Sequence, residues 1–189
     1  MLIRTKTTIV RLIATSCLLV AVVAGFAVAS HEQDENQHCR PVPTGIPRAL
    51  SVPDDECLGE HLQGSGVQIY TCAAGAWSLL APEANLTDPV SRAYRGNHFL
   101  GPAWQDRDGS KIHGVKAASA AAPNAVADIP WLLLNVTDES GPGRFSNVKH
   151  VQRIETVGGV APAGSCASGS QIGVSYSATY LFYRVRLSQ

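Results

Sequence analysis

Apolar and polar positions alternate most regularly near the C-terminus of the chain, over residues 175–187. Successive side chains of a β-strand point to opposite faces, so a period of two predicts a strand. Both faces of this one carry apolar side chains, and we expect it to close the sheet. The faces consist of Tyr176, Ala178, Tyr180 and Phe182, and of Leu181, Tyr183, Val185 and Leu187.

Other segments predict shorter strands. Residues 67–72 alternate and indicate a half-buried strand, which a turn at Ala74-Gly75 joins to a second strand at 77–81. Residues 131–136 are continuously apolar, which indicates a central strand covered on both faces. Weaker patterns predict strands at 96–104, 111–117 and 148–157, separated by turn-rich stretches at 106–110 and 140–143.

These segments predict an all-β fold: a single-domain β-sandwich or barrel of about seven or more strands with long loops. The 17 glycines, the 11 prolines and the scarcity of helix-period runs argue against a helical bundle. We expect the domain to occupy residues 57–189. The Pro-rich segment 30–56 is expected to be an arm that wraps its surface, and residues 117–125 a surface crossover.

The first 29 residues have the pattern of a secretory signal peptide. Arg4, Lys6 and Arg11 precede an uncharged apolar run, which ends in small residues that favour cleavage after Ala29. An uncleaved anchor is the alternative, because about 17 apolar residues approach the minimum that spans a bilayer. We therefore expect a secreted or periplasmic protein.

The charge composition excludes a basic nucleic-acid-binding protein. The chain has 15 Lys and Arg against 15 Asp and Glu, and cleavage after Ala29 would leave a net charge of −3. The sequence has no glycine-rich phosphate loop and no closely spaced pair of zinc ligands. We expect a monomer with no metal or cofactor, no nucleic-acid partner and no membrane partner after cleavage.

Four cysteines remain after cleavage, and an even number in an exported chain predicts two disulfides. Three pairings are possible. We favour Cys39 with Cys57, which would secure the Pro-rich arm, and Cys72 with Cys166, which would close a long loop. A metal site of four thiolates is the alternative, which scattered spacing and an oxidising compartment disfavour.

The order of motifs resembles the domain of unknown function 3455 family, exported proteins of bacteria and fungi. The resemblance covers about residues 49–183, implies an exported β-rich domain, and implies no reaction. It places cysteines at Cys72 and Cys166, which supports pairing them. The motifs are Gly66-Val67-Gln68-Ile69-Tyr70, Ala81-Pro82-Glu83-Ala84, His98, Gly101-Pro102-x-Trp104, Asp108-Gly109-Ser110, Ile129-Pro130-Trp131, Gln152-Arg153, Gly158-Gly159 and Tyr180-x-Phe182-Tyr183.

His98 is the first candidate for a functional residue, because it lies beside the Gly101-Pro102 turn and Trp104 and would titrate near neutral pH if partly exposed. The structural alternative is a hydrogen bond to a loop carbonyl. Trp104, beside the same turn, is expected at a cleft, where an exposed indole would stack on a sugar. Trp131 is expected in the core.

Asp108 and Arg153 complete the candidates. Asp108 most simply forms a hairpin turn with Gly109 and Ser110, although a carboxylate could also act with His98 as base and orienter. Arg153 could bind a carboxylate or sulfate ligand, but a salt bridge to a surface acid is the favoured expectation. If the segment is a strand, Gln152 points to the opposite face.

These residues suggest an exported β domain that binds a small molecule or glycan near His98, Trp104 and Arg153. The first alternative is an extracytoplasmic hydrolase or other enzyme that uses His98 with Asp108. The second is a structural component of the envelope or matrix. Binding predicts that His98 and Trp104 line one pocket, catalysis predicts a hydroxyl or carboxylate within about 3 Å of His98, and the structural role predicts no shared pocket.

Overall fold

The strands form one closed barrel, as seen in a computed structural model that describes residues 39–186. The predicted signal peptide lies outside these residues. Each strand pairs antiparallel with the next, and β8 pairs with both β7 and β1. The all-β prediction is confirmed. The strands are β1 (Glu56–Ala73), β2 (Ala76–Thr87), β3 (Tyr94–Phe99), β4 (Ala103–Asp106), β5 (Lys111–Ala120), β6 (Trp131–Ser140), β7 (Val148–Gly158) and β8 (Gln171–Val185).

The single strand predicted at 96–104 is wrong. The segment forms a tight hairpin of β3 and β4, in which His98 pairs with Trp104. The chain turns at residues 100–102, where Gly101 has φ of +133°, a backbone conformation that glycine adopts readily. Pro102 follows and cannot donate to a strand ladder. β5 also continues to Ala120, beyond the end predicted for it.

Aromatic and aliphatic side chains fill the barrel interior. β8 contributes its even-numbered face, from Tyr176 to Phe182, as the alternation predicts. The ring of Tyr180 fits because Gly64 on β1 has no side chain: a Cβ there would lie 2.5 Å from Tyr180 Cε2. Other interior residues are Leu62, Leu86, Trp104, Ile112, Leu134, Phe145 and Val151.

A second apolar cluster lies outside the barrel and is covered by the described part of the arm, residues 39–55. Its buried members come from β1, β7 and β8, and Trp131 packs against them from β6. Leu50 of the arm is fully buried, and its carbonyl accepts a 2.6 Å hydrogen bond from Gln152 Nε2. The cluster consists of Leu58, Ile154, Leu181 and Tyr183, with Ile46 and Val52 of the arm against it.

Two disulfides fix the arm and a long loop to β1. Cys39 is bonded to Cys57, with Cα atoms 5.3 Å apart, and Cys72 to Cys166, with Cα atoms 5.9 Å apart. These are the pairings favoured by the sequence. The second joins the end of β1 to the loop between β7 and β8, and Cys166 N also donates to Gly75 O.

The connections between strands divide between the two ends of the barrel, because successive turns of a meander lie at alternate ends. We call upper the end with the connections 74–75, 100–102, 121–130 and 159–170. The lower end has the connections 88–93, 107–110 and 141–147. Residues 39–186 include no helix that is long and apolar enough to cross a membrane.

Candidate functional site

A cavity of ≈ 350 Å³ lies in the upper half of the barrel. Its volume is in the range of small-molecule binding sites. Three of the four site candidates, His98, Trp104 and Arg153, line it, together with Gln68 and Tyr180. The rest of the lining is apolar or glycine: Leu79, Leu80, Pro82, Leu100, Gly101, Pro102, Leu132 and Leu134.

His98 is a buried, neutral side chain. Its ring stacks on Trp104, with centroids 4.6 Å apart and planes 8° apart. Nδ1 lies 2.8 Å from Ala103 O, and because a carbonyl only accepts, Nδ1 carries the proton and Nε2 is left as an acceptor. Burial, and to a smaller extent the charge of Arg153, lowers the pKa of His98 to about 3 despite that hydrogen bond.

Trp104 is enclosed by other rings. His98 covers one face, and Tyr180 and Phe182 approach edge-on with centroids 6.0 and 6.1 Å away. Only 1% of the residue is exposed, so the indole offers no open face to a sugar ring. Its Nε1 is buried and has no hydrogen-bond partner among residues 39–186.

Arg153 is a buried cation inside the barrel. It lies on β7 opposite Tyr180 on β8, and 9% of it is exposed. Its Nη2 donates to Pro130 O at 2.9 Å, whereas its buried Nε has no partner in the described chain. The salt bridge expected from the sequence is not found among residues 39–186, because this side chain points inward, away from the surface acids.

The environment of Arg153 is unfavourable without a counter-charge. A buried charge that has lost its partner destabilises a protein by about 3–5 kcal/mol. Gln152, its neighbour, lies on the outer face as alternation predicts, where it accepts a 2.7 Å hydrogen bond from the Tyr183 hydroxyl. Arg153, on the inner face, has no acidic partner among residues 39–186.

Gln68 is a cavity residue that the sequence reasoning did not single out. It lies on β1, is 1% exposed, and its amide lies near the Tyr176 hydroxyl, although Nε2 makes no hydrogen bond of good geometry within the described part of the chain. The alternation of residues 67–72 could have identified Gln68 as an interior residue. Gln68 shares a face with Tyr70 and Cys72, which are both buried, so a polar amide was due to point into the interior.

The upper-end loop after β7 lies against Gln68. Gly159 has φ of +84°, and a Cβ there would lie 2.9 Å from Tyr176 Cβ and 3.2 Å from Gln68 Cγ. Its carbonyl accepts a 2.6 Å hydrogen bond from the Tyr70 hydroxyl. Only glycine allows this approach, so the loop packs directly onto the interior side chains beside the cavity.

Leucines form the mouth of the cavity. Leu79 and Leu80 on β2 and Leu100 in the β3–β4 turn are exposed although they line it. Leu80 has no partner in β1, because a bulge lies between the pairs Ile69–Ala81 and Tyr70–Leu79. A bulge redirects side chains, which allows adjacent leucines to face the same opening.

Asp108 is not at the cavity. It lies in the turn between β4 and β5 at the lower end, and it accepts hydrogen bonds from Ser110 Oγ at 2.6 Å, Ser110 N at 2.9 Å and Arg144 N at 2.8 Å. The turn expected at Asp108-Gly109-Ser110 is present. The expectation that Asp108 acts with His98 is wrong, because Asp108 lies in the β4–β5 turn at the lower end, whereas His98 lines the cavity in the upper half of the barrel.

The site has donors but no assembled catalytic set. Among residues 39–186, His98 forms a hydrogen bond with Ala103 O, and no hydroxyl or carboxylate is hydrogen-bonded to His98. Burial raises the pKa of Tyr176 and Tyr180, so both phenols stay protonated, with hydroxyls 3.1 Å apart. Within residues 39–186, no three His, Cys, Asp or Glu side chains gather as a metal site would require.

Comparison with known proteins identifies a family. No curated protein and no solved structure matches the chain. A family model described as protein of unknown function (DUF3455) matches residues 53–184, which include all eight strands except the last residue of β8. The barrel, its cavity and the residues that line it therefore belong to a member of the DUF3455 family.

Proposed function

We propose that this protein is an exported binding protein that holds a small molecule in the upper cavity of its barrel. The observation that carries the proposal is the convergence of His98, Trp104 and Arg153 on one cavity of ≈ 350 Å³. Buried polar groups normally have hydrogen-bond partners. Gln68, Trp104 and Arg153 line the cavity and each carries a buried donor without a partner of good geometry among the described residues, which supports a polar role for this wall in binding a ligand.

A small amphipathic molecule fits this cavity better than a glycan. Sugar recognition by stacking needs an exposed aromatic face, whereas His98 covers the face of Trp104. The mouth is made of leucines and the polar groups lie deeper in the barrel. Apolar walls with a few fixed polar groups are typical of small-molecule sites.

Binding is also better supported than hydrolysis or a purely structural role. A hydrolase would need a nucleophile or carboxylate beside His98, and the hydrogen bond recorded for His98 is to a backbone carbonyl. A structural component would have no reason to collect three polar candidates around one cavity. The two disulfides support export, since such bonds persist in oxidising compartments.

The proposal is tested with two naphthalene probes of different charge: the anion 1-anilinonaphthalene-8-sulfonate and the neutral N-phenyl-1-naphthylamine. We expect at least one probe to bind saturably at one site, with energy transfer from tryptophan. Leu132→Trp places a large ring in the cavity wall and should abolish the binding. Val115→Trp adds the same ring at an exposed position on β5 and is the matched control.

Two outcomes would overturn the proposal. One is that neither probe binds saturably to the folded wild-type protein. The other is that Leu132→Trp, verified as folded by circular dichroism, binds both probes as well as Val115→Trp does. The second result would place the probes on surface apolar patches rather than in the cavity.

A further inference from the structure

We infer that the ligand is a carboxylate with an apolar body, whose head group pairs with Arg153 and whose body extends toward the leucine mouth. This inference rests on the proposed binding function and specifies the class of molecule bound. It follows from three features of the cavity: the kind of polar groups that lack partners, the sign of the charge, and the distribution of apolar side chains.

Three residues of the cavity wall carry fully buried donors without a partner of good hydrogen-bond geometry, whereas His98 Nε2 is an acceptor. The three donors are the amide Nε2 of Gln68, the indole Nε1 of Trp104 and the guanidinium Nε of Arg153. Each of the three residues is at least nine-tenths buried and lines the cavity. A ligand atom that satisfies several donors must be an acceptor, and a carboxylate has two oxygens with about four lone-pair sites.

The charge of the cavity is positive and uncompensated. Of the described side chains that line it, only Arg153 is charged, and no salt bridge of residues 39–186 includes Arg153. His98 stays neutral because burial lowers its pKa to about 3, so it adds no second cation. A single negative charge on the ligand therefore neutralises the site, and a planar carboxylate matches the planar guanidinium.

The rest of the cavity favours an apolar body. Leu132 on β6 pairs with Arg153 on β7, Leu134 of the same strand is buried, and Leu79, Leu80 and Leu100 continue the apolar wall to the surface. A ligand whose head group pairs with Arg153 therefore places its apolar body against leucine side chains. A small hydrophilic acid such as acetate would satisfy the charge but leave this wall without contacts.

The experiment compares ligands of equal chain length in the wild-type protein by isothermal titration calorimetry at pH 7. Decanoate, decanol and decyl sulfate each have ten carbon atoms and differ in the head group, and the extra methylene in the body of the latter two works against the expected preference; acetate lacks the body. We expect decanoate to bind at least tenfold more tightly than decanol and decyl sulfate, and acetate to show no measurable binding. In Arg153→Met the preference of decanoate over decanol should disappear or reverse, whereas Arg153→Lys should retain part of it.

A second measurement compares melting temperatures without and with ligand. Arg153→Met removes a buried charge that has no acidic partner, so without ligand its melting temperature should be equal to or above that of wild type. A residue needed for the fold would lower it. In wild type, decanoate should raise the melting temperature, and in the variant this shift should be lost.

The outcomes separate the inference from the proposed function. Equal affinity for decanoate and decanol, or tighter binding of decyl sulfate, would overturn the carboxylate while leaving the cavity as a binding site. Retention of the decanoate preference in a folded Arg153→Met protein would overturn the role of Arg153. If no decyl ligand binds while either naphthalene probe does, the carboxylate inference is wrong and the binding function stands. If neither probe binds either, both fail.

Discussion

His98 on β3 and Trp104 on β4 are paired across a hairpin and stacked with their planes 8° apart. The stack covers one face of the buried imidazole, and the hydrogen bond to Ala103 O fixes its tautomer. A histidine held in this way forms a neutral wall of the cavity. It also makes the stability of the folded protein depend on pH.

The stability of the protein should decrease as the pH falls below about 6.5. Burial lowers the pKa of His98 to about 3 in the folded state, whereas the unfolded chain has the ordinary value of 6.5. Between these values the unfolded state binds the extra proton, so acidification costs about 1.4 kcal/mol of stability for each pH unit. The contribution is fully present above pH 6.5 and declines toward pH 3.

Urea unfolding at pH 7.5 and pH 5 measures this effect. His98→Asn can keep a donor for Ala103 O and should have a flatter pH dependence than wild type. His113→Asn, on the outer face of β5 beside Ile112, is the control and should keep the wild-type slope. Equal slopes in all three proteins would contradict the assignment.

Asp108→Ala should destabilise the protein without affecting the cavity. The substitution leaves Ser110 N, Ser110 Oγ and Arg144 N without their acceptor. Hydrogen bonds to charged groups contribute about 1.5–3 kcal/mol each, with partial replacement by water, so we expect a loss of about 2–4 kcal/mol in denaturant unfolding. Probe affinity should change less than twofold, because the turn lies at the lower end.

The matched control for Asp108 is Asp138→Ala, an exposed aspartate at the lower half of β6. It should change the free energy of unfolding by less than about 0.5 kcal/mol. A large loss of probe affinity in folded Asp108→Ala would show that Asp108 belongs to the binding site after all.

Leu50→Ala should detach part of the arm from the barrel. Leu50 is fully buried between the arm and the outer face of the sheet, and truncation of such a leucine costs about 2–5 kcal/mol. Thermal and urea unfolding give the measurement. Val90→Ala, at a position that is 90% exposed, should have almost no effect. Equal stability of the two variants would mean that the arm does not stabilise the barrel.

The two disulfides should differ in their contribution. Loop-closure entropy grows with the length of the loop, and the separations are 18 residues for Cys39–Cys57 and 94 for Cys72–Cys166. The paired Ser variants should lose about 3 and about 4–5 kcal/mol, respectively. Mass spectrometry without reductant should find no free thiol at these four positions, and two free thiols would refute the framework.

The sequence predicted the fold class and much of the cavity wall. Alternation alone placed Tyr180 and Phe182 on one face of β8, because each strand has one face toward a single interior. The strand predicted at 96–104 runs through the Gly101-Pro102 turn that the sequence itself indicates, and the structure divides it into β3 and β4. A turn of three residues hardly changes a pattern of period two, so the pattern alone does not mark the end of β3.

The charge inside the barrel and the burial of its polar residues were harder to predict. Sequence patterns give the face on which Arg153 lies, but the energy of a buried unpaired cation is set by neighbours on other strands, so the surface salt bridge was the natural expectation. Gln68 was missed for the same reason. Only closure of the barrel, which brings β1 beside β8, shows that Gln68, Trp104 and Arg153 line one cavity.

Closure of the sheet has one more consequence. The strand order is closed, but residues 76–83 of β2 pair only with β1, and residues 115–120 of β5 pair only with β6. The seam between β1 and β8 is paired along nearly its whole length, from Glu56–Val185 to Thr71–Gln171, so an added strand could enter there only if the two strands separated. The longest seam of the barrel is thus closed to strand addition, and the half-paired lengths of β2 and β5 are the edges left for a further strand.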